Sequence, residues 1–60
     1  MDNIEMSKAT AALFRGLRRV YGDLIYNVTF EHVDASGYWF SFELENDHRR
    51  QTWCVRHSEL

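Results

Sequence analysis

An α+β fold, with an N-terminal amphipathic helix packed on a three-stranded antiparallel β-meander (α-β-β-β), is predicted by three observations. Apolar residues recur at three- and four-residue spacing from Met6 to Tyr21. They recur at every second position in the stretches that follow, and turn-forming residues separate those stretches. A helix that ends where a meander of strands begins makes a two-layer domain. All 60 residues belong to it, since no linker, repeat or low-complexity segment interrupts the chain.

The helix starts near Asp2 or Asn3, either of which can cap it, and Glu5 stands three residues after Asp2 in the capping-box relation. Met6, Ala9, Thr10, Leu13, Leu17, Val20 and Tyr21 then fall on one stripe at 100° per residue. Lys8, Arg15, Arg18 and Arg19 gather on the other side. Gly22 lies where a left-handed cap is wanted, and Arg18 and Arg19 suit the negative end of the helix dipole. Gly16 costs about 1 kcal/mol against Ala in a helix interior, and its small size lets the helix approach the sheet closely.

From Leu24 to Val33, Leu24, Tyr26, Val28 and Phe30 alternate with Ile25, Asn27, Thr29 and Glu31, which predicts a first strand. Asp34-Ala35-Ser36-Gly37 follows as a hairpin loop, with Asp and Gly in the places a turn favours. Tyr38 to Glu45 is the central strand, with Tyr38, Phe40, Phe42 and Leu44 facing the helix and Trp39, Ser41, Glu43 and Glu45 facing away. Asn46-Asp47-His48 makes a second turn. Arg50 to His57 supplies the third strand, with Trp53 and Val55 inward and Thr52, Cys54 and Arg56 outward. The last residues are expected to fray. In the core, Leu13, Leu17 and Val20 are expected to meet Val28, Phe30, Phe40, Phe42, Trp53 and Val55.

A domain this short buries only about 60% of the surface of its unfolded chain, so it benefits from disulfides, metal or self-association. Its one cysteine, Cys54, forms no internal disulfide, which leaves aromatic packing and homo-oligomer formation. That cysteine and the acidic start MDNIEMSK, which lacks an apolar signal region, point to a soluble cytoplasmic protein. The apolar run Ala11 to Phe14 is too short to span a membrane.

The net charge of −2 hides a segregation. Residues 6 to 22 carry Lys8, Arg15, Arg18 and Arg19 and no acid, whereas residues 23 to 47 carry Asp23, Glu31, Asp34, Glu43, Glu45 and Asp47 and no base. Such a pattern serves intramolecular attraction or the orientation of a partner.

The predicted open sheet face presents Trp39 with Ile25 and Val33 around it, and Glu43 farther along. An aromatic residue in a mixed polar setting is the usual anchor of a protein interface, so Trp39, Ile25, Val33 and Glu43 are the candidate protein-binding residues. The competing explanation is a cross-strand pair that shields the sheet backbone. Strand edges offer a second route, by strand addition. Lys8, Arg15, Arg18 and Arg19 form the alternative site, a basic helix face against nucleic-acid phosphates, although a pI near 5.8 weighs against it.

His32, His48, Cys54 and His57 are the soft metal ligands, without the tight paired spacing of a zinc site, so no metal is assigned. Cys54 lacks an evident base and orienter for nucleophilic work, and Glu43 and Glu45 are explained by keeping a solvent face polar. No catalytic residue or cofactor is assigned, and the expected function is non-enzymatic binding.

The chain as a whole, in its brevity, its single Cys54 and its segregated charge, resembles the small accessory proteins of the early operons of lambdoid bacteriophages. The resemblance implies a cytoplasmic protein that alters host physiology by binding a host protein. It carries over no particular residue.

Overall fold

A computed structural model describes residues 3–60, with side chains from Ile4 onward. Helix α1 (Asn3–Tyr21) is followed by strands β1 (Ile25–Val33), β2 (Gly37–Leu44) and β3 (Asp47–Arg56) and a short 3-10 turn, His57–Glu59. The strands form one antiparallel sheet in the order β1-β2-β3, so the α-β-β-β arrangement expected from periodicity is the one observed. The predicted caps at Asp2 and at the Asn3 side chain lie outside the described residues.

The core is built from the two most regular apolar patterns. Ala9, Leu13 and Leu17 of α1 are fully buried against Tyr38, Phe40, Phe42 and Leu44 of β2 and Val55 of β3. Tyr21 closes one end of this core, its ring 5.5 Å from that of Phe42. Val20, expected in the stripe, is 58% exposed: Tyr21 takes the position at the end of the core that the wheel gave to both. The helix ends at Gly22, which adopts φ 66 and donates its N–H to the Arg18 carbonyl at 3.0 Å.

Gly16 admits the sheet. A Cβ there would stand 2.7 Å from Cζ2 of Trp53, so only glycine lets the indole lie against the helix backbone.

β1 departs from simple alternation. Its pairing with β2 is irregular between Tyr26 and Thr29 and again between Phe30 and His32. At the first, Asn27 and Val28 together stand across from Phe42, and Asn27 adopts φ 58; at the second, Glu31 is the extra residue. Each bulge resets the period, so Ile25, Val28, Phe30 and Val33 all share the helix side with their β2 partners, while Tyr26, Thr29 and His32 face away. Leu24 and Tyr26, expected inside, are exposed.

The second hairpin is tighter than expected: the turn is Glu45-Asn46, and β3 begins at Asp47 rather than Arg50. The chain end does not fray. Leu60 packs on the core and donates its N–H to the His57 carbonyl at 3.2 Å.

Candidate functional site

On the face away from the helix, the turn after β1 and the centre of β2 hold each other in place. Asp34 opens the turn and its Oδ1 accepts the backbone N–H groups of Ser36, at 2.9 Å, and Gly37, at 3.2 Å. The same carboxylate accepts the indole Nε1–H of Trp39, which stands 3.1 Å from both oxygens. His32, opposite Trp39 in the sheet, stacks on the indole at 6.0 Å and 17°, with its Nε2 3.5 Å from Asp34 Oδ2. His57 Nε2 donates to the Asp34 carbonyl at 2.8 Å, and its Nδ1 lies 3.7 Å from Glu5 Oε1, tying the hairpin tip to the first turns of α1.

These bonds hold Asp34 ionised. The Trp39 N–H above all lowers its pKa from the ordinary 3.8; desolvation opposes this, and the Gly37 and Ser36 amides add to the lowering.

Trp39 is thereby fixed on its β1 side and open on its β3 side. There a shallow cleft of about 410 Å³ is lined by Trp39, Ser36, Cys54 and Arg56. Cys54 is opposite Trp39 across the sheet, and desolvation, followed by the Asp34 charge, raises its thiol pKa above 9.0. The direction of that shift favours the neutral thiol over the thiolate.

Farther along the same face lies a separate polar cluster. Arg50 donates to the Ser41 hydroxyl, to Glu43 Oε2 at 2.9 Å and to the Asn27 carbonyl at 3.1 Å. Asn27 Nδ2 donates to Glu43 Oε2 at 2.7 Å, and the Ser41 hydroxyl donates to Glu31 Oε2 at 2.5 Å. The bond from Asn27, then that from Arg50, lowers the Glu43 pKa. Tyr26 Oη and His48 Nδ1, 3.3 Å apart, complete the end of this face.

The predicted protein-binding residues are thus dispersed. Trp39 is on the open face as expected. Ile25 and Val33 are not beside it: the two bulges turn them to the helix side, opposite Leu44 and Tyr38. Glu43 shares the face but stands four residues along β2, about 13 Å at ~3.3 Å per residue, and is occupied by Asn27 and Arg50. The true neighbours of Trp39 are Asp34, His32, Ser36, Cys54 and Arg56. The signal for them was the turn itself, in which Asp34 stands five residues before an otherwise unsatisfied indole.

The alternative residues behave differently. Lys8, Arg15, Arg18 and Arg19 are all exposed on α1, and none has a carboxylate within 4 Å among the described residues. Of the two uses open to the segregated charge, intramolecular attraction between the basic helix and the acidic sheet is not seen among the described residues. Glu43 and Asp47 are instead paired with Arg50 and Arg49 of the same sheet.

Among the described residues no group of three or more His, Cys, Asp or Glu side chains is arranged to hold a metal ion. None of their helices is long and apolar enough to cross a membrane. The fold and the face define a small two-layer α+β domain with an open, partly aromatic sheet. No family model, curated protein or solved structure matches the chain.

Proposed function

We propose that this chain is a non-enzymatic protein-interaction module, acting in the cytoplasm, whose docking surface is Trp39 with Ser36, Cys54 and Arg56. The observation that carries this is the immobilised indole: Asp34 holds its nitrogen and His32 stacks on one side, while the other side borders an open cleft. A rigid aromatic beside an arginine loses little entropy on docking, and such residues dominate binding energy at interfaces. A second copy of the chain is among the partners assigned. Phe30 and Val33, consecutive inward pairs on β1, stay 37% and 41% exposed, so the β1 flank of the core supports self-association.

Two measurements test this. Light scattering across a concentration series should give a mass above that of the monomer, and Phe30→Glu should lower it. Trp39→Glu should keep dispersed amide resonances yet lose protein partners. A monomeric mass at every concentration removes the self-association, and a folded Trp39→Glu variant that keeps every partner removes the docking surface.

A second reading is favoured by one observation. Lys8, Arg15 and Arg19 lie along one side of α1 over about 16 Å at 1.5 Å per residue, unpaired by any described carboxylate. This supports binding to nucleic-acid phosphates through Lys8, Arg15, Arg18 and Arg19. It requires salt-sensitive binding that fades in Arg15→Ala/Arg19→Ala, and no binding at low salt ends it.

A further inference from the structure

The order β1-β2-β3 leaves two sheet edges, and they are not equivalent. β1 is broken by two bulges, one with Asn27 at φ 58, and bulges spoil a strand as a template for another. β3 shifts register against β2 between Asp47 and Gln51, but from Gln51 to Arg56 it pairs with Phe42 to Gly37 without interruption. Its far side therefore presents a straight run of backbone N–H and C=O groups. Among the described residues, none of these six makes a backbone bond outside the sheet.

Each face of the sheet has a cleft that meets β3, one where Gly16 lies over Trp53 and the other at Cys54 and Arg56. On the helix side, Ala12, Arg15, Gly16, Arg19 and Glu59 line about 200 Å³ where Gly16 lies over Trp53. On the other side is the Trp39 cleft with Ser36, Cys54 and Arg56. Side chains of an added strand point alternately to the two faces, so successive residues would enter one cleft and then the other.

The charges select the occupant. Arg15 and Arg19 stand at the first cleft and Arg56 at the second, and none of the three has a carboxylate within 4 Å among the described residues, although Glu59 shares the first cleft. The other cations of β3 are already engaged, Arg49 by Asp47 and Arg50 by Glu43. A second β3 would bring Arg50 and Arg56 against its own basic residues, and like charges across a strand pair repel.

We propose that the free edge of β3 accepts an extended acidic segment of a partner protein as a fourth strand, with its alternate side chains in the Arg15/Arg19 cleft and the Trp39/Arg56 cleft. The proposal rests on the protein-interaction reading above and names the partner's chemistry and its mode of attachment.

The test uses the full ¹⁵N-labelled chain and a capped eight-residue peptide alternating Glu with Tyr and Val. Titration should shift the amides of residues 51 to 56 and the Trp39 indole N–H, and should slow hydrogen exchange at the outward-pointing amides of β3. Binding should weaken steeply with salt and be lost in a Lys-for-Glu peptide and in a peptide N-methylated at alternate residues. Arg15→Glu/Arg19→Glu, at two exposed positions, should weaken it about tenfold, ~1.4 kcal/mol. Equal binding by the N-methylated or the Lys peptide, shifts centred on β1, or no binding at about 1 mM peptide overturns the proposal. Peptide shifts at the Trp39 indole without slowed exchange in β3 overturn strand addition while leaving the Trp39 surface standing.

Discussion

The indole nitrogen of Trp39 lies 3.1 Å from both carboxylate oxygens of Asp34, so the residue that opens the first hairpin turn also orients the largest side chain on the open face. Turn and surface are one unit. The same carboxylate accepts two backbone N–H groups of the turn, and its loss disturbs both.

Asp34→Ala should therefore lower the denaturation midpoint and move the Trp39 indole N–H resonance toward the solvent-exposed position, whereas Asp34→Asn should retain part of the turn through its amide oxygen. Equal indole shifts for wild type and Asp34→Ala would show that the carboxylate does not hold the ring.

The pH dependence follows from the direction of the Asp34 shift. Its folded pKa lies below 3.8, chiefly because of the Trp39 bond, so the carboxylate contributes stability that is complete above that value and is lost as pH falls through the lower folded pKa. The Trp39 indole resonance should hold from neutrality to about pH 4 and move only in stronger acid. Asp47, held down to about 2 by Arg49, should titrate in the same acid range, so the Asp34 contribution is read from the Asp34→Asn difference.

Two glycines should tolerate alanine badly for different reasons. At Gly16, the gain of about 1 kcal/mol in helix propensity opposes a Cβ placed 2.7 Å from the Trp53 ring, and overpacking of this kind costs ~1–3 kcal/mol. A net loss is expected, with altered near-ultraviolet dichroism of Trp53. At Gly37 the obstacle is backbone: the Cβ would lie 2.8 Å from Arg56 Cα, within the β2–β3 pairing, so about 3 kcal/mol should be lost.

The helix packing is tested by three truncations under chemical denaturation. Leu13→Ala and Leu17→Ala, at fully buried positions, should each cost ~2–5 kcal/mol. Val20→Ala should cost no more than about 0.5 kcal/mol because Val20 is exposed. A large loss at Val20 would restore the stripe that periodicity alone predicts.

That stripe marks the limit of what periodicity alone dictates. The alternation of Tyr38, Phe40, Phe42 and Leu44 belongs to the central strand, whose register shifts place the extra residues in its neighbours and not in itself, and all four are buried as expected. β1 has one neighbour and can bulge, and each extra residue carries the side chains that follow to the other face. Ile25 and Val33 were therefore assigned to the wrong face, while Val28 and Phe30 were not. Trp39 was legible as the residue the core does not need. Of its partners, only Asp34 leaves a signal, its place in the turn five residues before the indole; the contact itself depends on how the turn folds back, and the Arg56 side of the cleft depends on strand order. The free charge on α1 was legible because helix periodicity places Lys8, Arg15, Arg18 and Arg19 without reference to any other element.

The central claim is that Trp39 anchors a protein partner, and quantitative affinity capture from the cell of origin tests it most directly. Wild type, Trp39→Glu and a Lys8→Ala/Arg15→Ala/Arg18→Ala/Arg19→Ala variant would be compared, each checked for folding by amide dispersion. The account predicts proteins captured by wild type and the helix variant and lost from Trp39→Glu. An identical set of proteins on folded Trp39→Glu, with loss confined to the helix variant, would contradict it.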